Sequence, residues 1–524
     1  MKTALEKKSI IKKTLQVGAN TLVSRIIGLA REIFLMRYLG LGVLADGFTV
    51  AFMLPNSLRK IFAEGALTSA FVPTFITLFK KEGREQANAL TTLSFIAFES
   101  ALLVFCALVM WKAHFTAQLF APGFSESQLE ATVLALRILM PFIFFVSVSA
   151  LLSGAMQAVH HFFVPAFSQI LLNVVFVGAL IVCIEQKLSV EYLCFAILGS
   201  GALQCLMHIV KYFQLGFSFG WWNAETLKYF FQVIGKFLLC FLSMSVMEIN
   251  LIVDQRFASW LPTGTVTLIK YANRFMGIPL GVFAVAFSTI LLPHFTHVKM
   301  ESPEKLKFHF MESTKLILWI TIPASLILGY LSTEIFQTLF VSVSPNFPVE
   351  RIDEAGMILI GFLLGLCFFS LNKILFNLFF TFHDAWYPMV ISVIATAFNF
   401  VSNYYLMKIL GSFGLALSTS LSGLLQMSLA FIFLKTQHNL SLDVKEISTF
   451  LMRYILQVLV FMVPFYYAYH YLYAYIATTH YAYFFTQSFG FWAWICPLGA
   501  IFLGLLYGTH KQFGLSLYFL NKFE

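Results

Sequence analysis

Apolar stretches of about 18 to 25 residues recur from near residue 15 to near residue 508, separated by short polar segments. As helices, stretches of this length cross a hydrocarbon core about 30 Å thick. The pattern predicts an all-α polytopic membrane protein of about fourteen transmembrane helices. The first six lie near 15–39, 45–78, 89–112, 131–156, 162–184 and 190–215, and an aromatic and polar break follows at 216–227. The next six lie near 228–260, 266–293, 314–340, 355–382, 386–409 and 412–435, and a last pair near 450–475 and 485–508. Two sixes of one orientation suggest a parallel repeat, with a first lobe over 1–215 and a second over 228–436. A local likeness supports the repeat. Pro55 precedes FAEGALTSAFVPTF (62–75) and Pro279 precedes FAVAFSTILLPHF (283–295), and the two segments carry Pro73 and Pro293 near their ends. The extra pair, 450–508, is expected at the periphery, where its tyrosines suit a membrane interface. The tail 509–524 alternates apolar and basic residues and reads as an interfacial helix or as a helix end trailing into solvent.

Composition agrees with the pattern: 59% of residues are hydrophobic, 11% are charged and the mean hydropathy is +0.82. The net charge of +9 would suggest nucleic acid in a soluble chain. Here the cations orient the protein instead, since Lys2, Lys7, Lys8, Lys12, Lys13, Lys80, Lys81, Arg84, Lys299, Lys305, Lys307 and Lys315 fall on one side if the spans alternate. The opposite side holds little beyond Lys187, Arg351 and Lys408, so both termini are expected in the cytoplasm. The basic N-terminus runs into a long span without a small-residue cleavage site, so the first helix is expected to be retained. The seven cysteines lie in apolar stretches without metal-ligand spacing. His294 and His297 have no evident third ligand, and phosphate loops, zinc-protease motifs and nucleophile elbows are absent from the sequence. A transporter explains the chain better than an enzyme.

The informative residues are charges placed where lipid should be. The first span carries Arg25, Arg31, Glu32 and Arg37, and a central arginine costs about 2.5–3.5 kcal/mol to insert. Arg25, Gly28 and Glu32 share one helical stripe, which must face a protein interior. In the second span, which starts near Asp46, Asn56, Lys60 and Glu64 recur at every fourth residue beside Arg59, one residue after Pro55. The eighth repeats the theme with Lys270, Asn273 and Arg274 ahead of Gly277, Pro279 and Gly281. Mutual pairing could fix helix packing, yet Glu32, Asp46 and Glu64 are outnumbered by the cations. A cationic excess in a low-dielectric site suits an anionic substrate, and guanidinium forks suit phosphate oxygens.

At this point a family resemblance becomes specific. The run Ser24-Arg25-Ile26-Ile27-Gly28-Leu29-Ala30-Arg31-Glu32 resembles the SRxxGxxRD signature of the MurJ (MviN) lipid II flippases. Residues 46–73, DGFTVAFMLPNSLRKIFAEGALTSAFVP, resemble the same family's second block. Ala121-Pro122-Gly123-Phe124 is similar to its APGF loop, and YANRFMGIP (271–279) to the segment bearing its second-lobe arginine. The resemblance covers nearly the whole chain. It implies two six-helix lobes around a central cavity, plus a helix pair that forms a groove for a lipid tail, the fold of the multidrug/oligosaccharidyl-lipid/polysaccharide exporters. It implies a function too: moving undecaprenyl-pyrophosphate-MurNAc-pentapeptide-GlcNAc from the cytoplasmic to the periplasmic leaflet of the bacterial inner membrane, for peptidoglycan synthesis and cell shape. Lipid II and membrane lipids are the implied partners, with cell-wall synthesis or division proteins as further candidates and no nucleic acid. Position by position, it implies substrate-binding roles for Arg25, Arg31, Arg59 and Arg274, with Glu32, Asp46, Asn56, Glu64 and Gly65 as further sensitive positions. Glu32 replaces a usual aspartate, Asn273 stands where many members have an acid, and Met53 stands where some have lysine.

Asp254, Asn399, Asn403 and Thr419 offer hard oxygens for a monovalent cation, and some family members resemble this pattern at a sodium site. Interhelical hydrogen bonding accounts for the same residues. Sodium is otherwise the only cofactor that the sequence brings into question. Rival classes are a flippase for another lipid-linked oligosaccharide, a cation-coupled multidrug exporter, and a non-transporting scaffold. The FAEGA block argues against the exporter, and a scaffold should tolerate loss of the arginines.

Overall fold

The computed structural model describes residues 27–344, 347–440 and 443–518, apart from the side chains of Glu64, Ser243, Val246, Met247 and Val444. There is no strand among the described residues, and the described part of each predicted span is mainly helix. The helical runs Val43–Trp111 and Trp386–His438 are 69 and 53 residues long, far more than a bilayer needs, so each contains two spans. Both turn on one glycine, Gly83 at φ 84° and Gly411 at φ 59°, in a region that side-chain-bearing residues disfavour. The hydropathy gap around 79–88 is therefore helical on both sides of Gly83 rather than a loop, and it exposes Lys80, Lys81 and Arg84.

Contacts divide the chain into two compact units, Met1–Gly264 and Thr265–Glu524. In the first, Val43–Leu58 packs on Glu126–Leu139, and Thr68–Trp111 packs on Phe142–Ala158 and Ala224–Ala258. The last of these begins the second six of the repeat, yet its contacts are with the first unit. A capping box of Ser125 and Gln128 starts Glu126–Leu139, and Asn223 caps Ala224–Ala258 through a 2.9 Å bond from the Thr226 amide. Buried phenylalanines, among them Phe48, Phe142 and Phe176, fill one core cluster, and Phe71, Phe75 and Tyr212 another.

In the second unit the helix predicted from 314 starts at Pro303, because Ser302 accepts from the Lys305 amide at 3.1 Å and proline suits the first turn. Lys315, read as a connecting cation, is thereby inside a helix. The last two long helices, Val444–Ala477 and Phe491–Thr509, pack on each other, and the first of them also packs on Pro303–Tyr330. Tyr467, Tyr471 and Tyr475 point outward, as an interfacial belt requires. Among the described residues of the tail, 510–517 are not helical. They run as turns over 510–514, with Gly514 at φ 66°, and without regular structure over 515–517, where Leu515 and Leu517 are buried. Residues 519–524 lie outside the described residues.

Candidate substrate-binding site

Pro55 lacks the N–H that an α-helix interior uses, and the helix widens to π geometry over Arg59–Leu67 directly after Val43–Leu58. The second unit repeats this, with Pro279 ending Thr265–Pro279 and a π segment at Leu280–Val285. The weak proline-centred likeness in the sequence thus marks the same distortion in both units. A widened turn rotates the side chains that follow it, which places Arg59 and Lys60 at the bulge of the first unit.

In the first unit Arg31, Arg59 and Lys60 each have a fixed setting. Arg31 donates to Glu32 Oε1 at 2.6 Å and to Asn173 Oδ1 at 3.1 Å, and lies over the Phe176 ring at 5.1 Å. Arg59 donates to Asn56 Oδ1 at 3.0 Å. Lys60 donates to both oxygens of Glu248, at 3.1 and 3.2 Å, and the Ser57 hydroxyl donates to Glu248 at 2.8 Å. Lys60 keeps 40% of its side chain exposed. Glu248, on Ala224–Ala258, and Asn173, on Phe163–Glu185, were missed in reading the sequence. Glu248 was legible as a carboxylate inside the predicted span 228–260, and counting it removes one unit of the cationic excess. Arg25 lies outside the described residues, as does the side chain of Glu64.

Asp46 is held in a structural setting. It is 1% exposed, and Oδ2 accepts from the Gly264 amide at 2.6 Å and from Gln128 at 3.2 Å, tying the start of its helix to two neighbouring segments. Gly65 sits against Ala224–Ala258 so closely that a Cβ would lie 2.2 Å from Met244 Sδ. The APGF glycine is tighter still against rigid atoms: a Cβ on Gly123 would lie 2.6 Å from the Ser259 carbonyl oxygen, and its amide donates to Ser259 Oγ at 3.0 Å. Gly123→Ala should therefore cost about 1–3 kcal/mol of stability. The check is thermal unfolding of the purified protein in detergent, where an unchanged midpoint would contradict the close approach.

In the second unit Arg274 is exposed and has no ion pair or hydrogen bond among the described residues. Lys373, halfway along Leu366–Thr381, is half-buried, and it too has no ion pair among the described residues. Sequence reading passed over it, although a lysine in the middle of an apolar span is a functional signal. Of the cation-site residues, Asp254 is buried in the first unit. In the second, Asn403 donates to Asn399 Oδ1 at 3.0 Å, and the Asn399 amide reaches Ser418 Oγ and Thr419 Oγ1 at 3.4 and 3.5 Å. The Asn399, Ser418 and Thr419 side-chain oxygens thus each accept from a neighbouring side-chain amide.

Helices long enough to cross a membrane that carry guanidinium and ammonium groups within their apolar spans, and that widen to π geometry after matched prolines, define a class of polytopic transporter. The family model described as lipid II flippase MurJ matches residues 35–487, and the chain belongs to that family, whose members are transporters and not enzymes. It is 31% identical over 434 residues to a probable lipid II flippase MurJ of Rhizobium tropici, covering 81% of each chain. It is 30% identical over 441 residues to the lipid II flippase MurJ of Burkholderia cenocepacia, covering 82% of this chain and 84% of that one. Among solved structures, a lipid II flippase MurJ in an inward closed conformation matches with a TM-score of 0.77 at 22% identity, over 95% of this chain and 99% of the other. An inward-facing multidrug-resistance transporter of the MATE family, itself described as of the MOP superfamily, matches with a TM-score of 0.67 at 14% identity, over 78% and 93%, a likeness of fold alone.

Proposed function

We propose that this chain carries lipid II from the cytoplasmic to the periplasmic leaflet of the bacterial inner membrane, and that its membrane-embedded cations hold the pyrophosphate during transfer. The observation that carries the reading is Arg274, exposed and without an ion pair among the described residues, on a transmembrane helix. A cation left so in a low-dielectric region is costly unless water or an anion visits it. Arg31, Arg59 and Lys60 are engaged with Glu32, Asn56 and Glu248, which orient them for exchange with phosphate oxygens. Arg25 joins this set by its place in the family signature.

The transport cycle alternates the access of these groups between the two leaflets, with the helices bending at the π segments after Pro55 and Pro279. An inside-negative potential favours release of an anionic head outside, by about 2.3 kcal/mol per charge per 100 mV, and the return of an unloaded cationic site inward. The mutual hydrogen bonding of Asn399, Asn403 and Thr419 favours the potential over sodium as the energy source. The excess of lysine and arginine on one set of connections supports cytoplasmic termini.

The test is made in cells depleted of the protein, by measuring the fraction of lipid II cleaved by an added enzyme that reaches only the outer leaflet. The cleaved fraction should collapse on depletion and return with the wild-type chain. Normal cleavage after depletion would overturn the lipid II assignment and make another lipid-linked glycan the leading substrate.

A further inference from the structure

The helix Thr68–Trp111 carries three carboxylates, Glu82, Glu85 and Glu99, and of these only Glu99 is buried. Glu99 lies about 24 Å along the helix axis from the Gly83 turn and about 18 Å from Trp111, in the middle of a span. It is 2% exposed, while Leu103, Val104, Phe105 and Leu108 of the same helix face outward. Its one hydrogen bond comes from the Ser147 hydroxyl on Phe142–Ala158, at 2.6 Å to Oε1. Oε2 is equally buried and has no hydrogen-bond partner.

No cation compensates this group among the described residues. Phe142–Ala158 has no titratable side chain at all. The thiols of Cys106, on the same helix, and Cys205, on Val190–Gln214, lie close enough to interact with it electrostatically, and neither is a cation. On Ala224–Ala258, Lys236 donates to Thr74 at 3.3 Å and Glu248 is bound to Lys60. Arg59, on the π segment, is bound to Asn56. Buried His208 turns Nδ1 to its own helix, 2.8 Å from the Gln204 carbonyl. The acids and Arg137 of Glu126–Leu139, and His114 of Ala113–Phe120, make no ion pair with it. A carboxylate so enclosed in hydrocarbon neutralises rather than remaining charged.

We propose that Glu99 is a proton-binding site in the membrane core of the first unit, holding its proton at neutral pH and releasing it only when the Glu99–Ser147 contact opens to water. The proton passes from the carboxyl oxygen to the admitted water and returns from it, with no other bond changed. The holding of the proton follows from burial alone. Its release during the cycle rests on the flippase reading.

Difference infrared spectroscopy of the full-length protein in phosphatidylglycerol vesicles tests both parts. The carbonyl stretch of a protonated carboxyl should be present at pH 7 without substrate in wild type and missing in Glu99→Gln. If Glu99→Gln fails to fold, Glu99→Asp identifies the band by moving it. After transfer to heavy water the band should shift slowly at rest, and at least tenfold faster with lipid II and an applied potential. A band absent at pH 7 overturns the proton site. Exchange as fast at rest as during transport overturns the release step. Failure of lipid II to move at all would count against the flippase reading instead, while the substrate-free band would still decide whether Glu99 holds a proton.

Discussion

Arg274→Ala should leave the protein at wild-type abundance while cutting lipid II transport by roughly 30-fold, the effect of losing about 2 kcal/mol of charge-assisted binding to a phosphate oxygen. The separation of the two readouts follows from its setting. Arg274 makes no ion pair or hydrogen bond among the described residues, so its removal strands no partner and should change stability by less than about 0.5 kcal/mol. Lysine at 274 keeps the charge but loses the planar fork, and should restore transport only in part. Arg31→Ala should behave differently. It leaves the buried Glu32 carboxylate without its 2.6 Å partner, so abundance should fall together with transport. The measurement is externally cleavable lipid II in depleted cells carrying each variant, normalised to membrane protein level. Transport by Arg274→Ala equal to wild type at equal abundance would remove Arg274 from the site.

The comparison of these two arginines shows what a sequence can reveal here and what it cannot. Hydropathy anticipates the long apolar helices seen among the described residues because a bilayer imposes one length and one polarity on all of them. The intramembrane charges stand out for the same reason, which is why Arg31, Arg59 and Arg274 were legible. Their partners were not. Glu248 reaches Lys60 from 188 positions away and Asn173 reaches Arg31 from 142, pairings that only tertiary packing selects. Asp46 looked like part of the same charged set, yet its acceptor is taken by the Gly264 amide at the end of a turn, a bond invisible without the fold. Turns were misjudged where one glycine sufficed, as at Gly83, because polarity in the flanking helix imitates a loop. The π segments lay within reach of the sequence, since a proline at matched places in both halves predicts a disturbed helix, but the hand and width of the disturbance depend on neighbours.

Lys315 carries the largest stability effect expected from a single side chain. Its ammonium, 4% exposed, donates to Glu312 Oε1 at 2.7 Å and to Glu446 Oε1 at 2.6 Å. Glu312 is itself buried and also accepts from the Tyr518 amide at 3.0 Å, so one cation joins Pro303–Tyr330, Val444–Ala477 and the C-terminal tail. Lys315→Met leaves the Glu312 carboxylate buried with only a backbone donor, and should destabilise the second unit by about 3–5 kcal/mol. Glu446→Gln should cost at most about 1 kcal/mol, because that carboxylate is half-exposed and water replaces the bond. Replacing both buried partners, Lys315→Met with Glu312→Met, should recover most of the loss, since an apolar pair avoids the desolvation of two charges. Thermal unfolding in detergent separates these cases. The single variant should fall well below wild type, and the double variant should lie between them or above. A Lys315→Met protein that unfolds at the wild-type temperature would mean that the buried pair holds nothing together. If the single and double variants were equally unstable, the loss would come from packing around the lysine stem and not from a stranded charge.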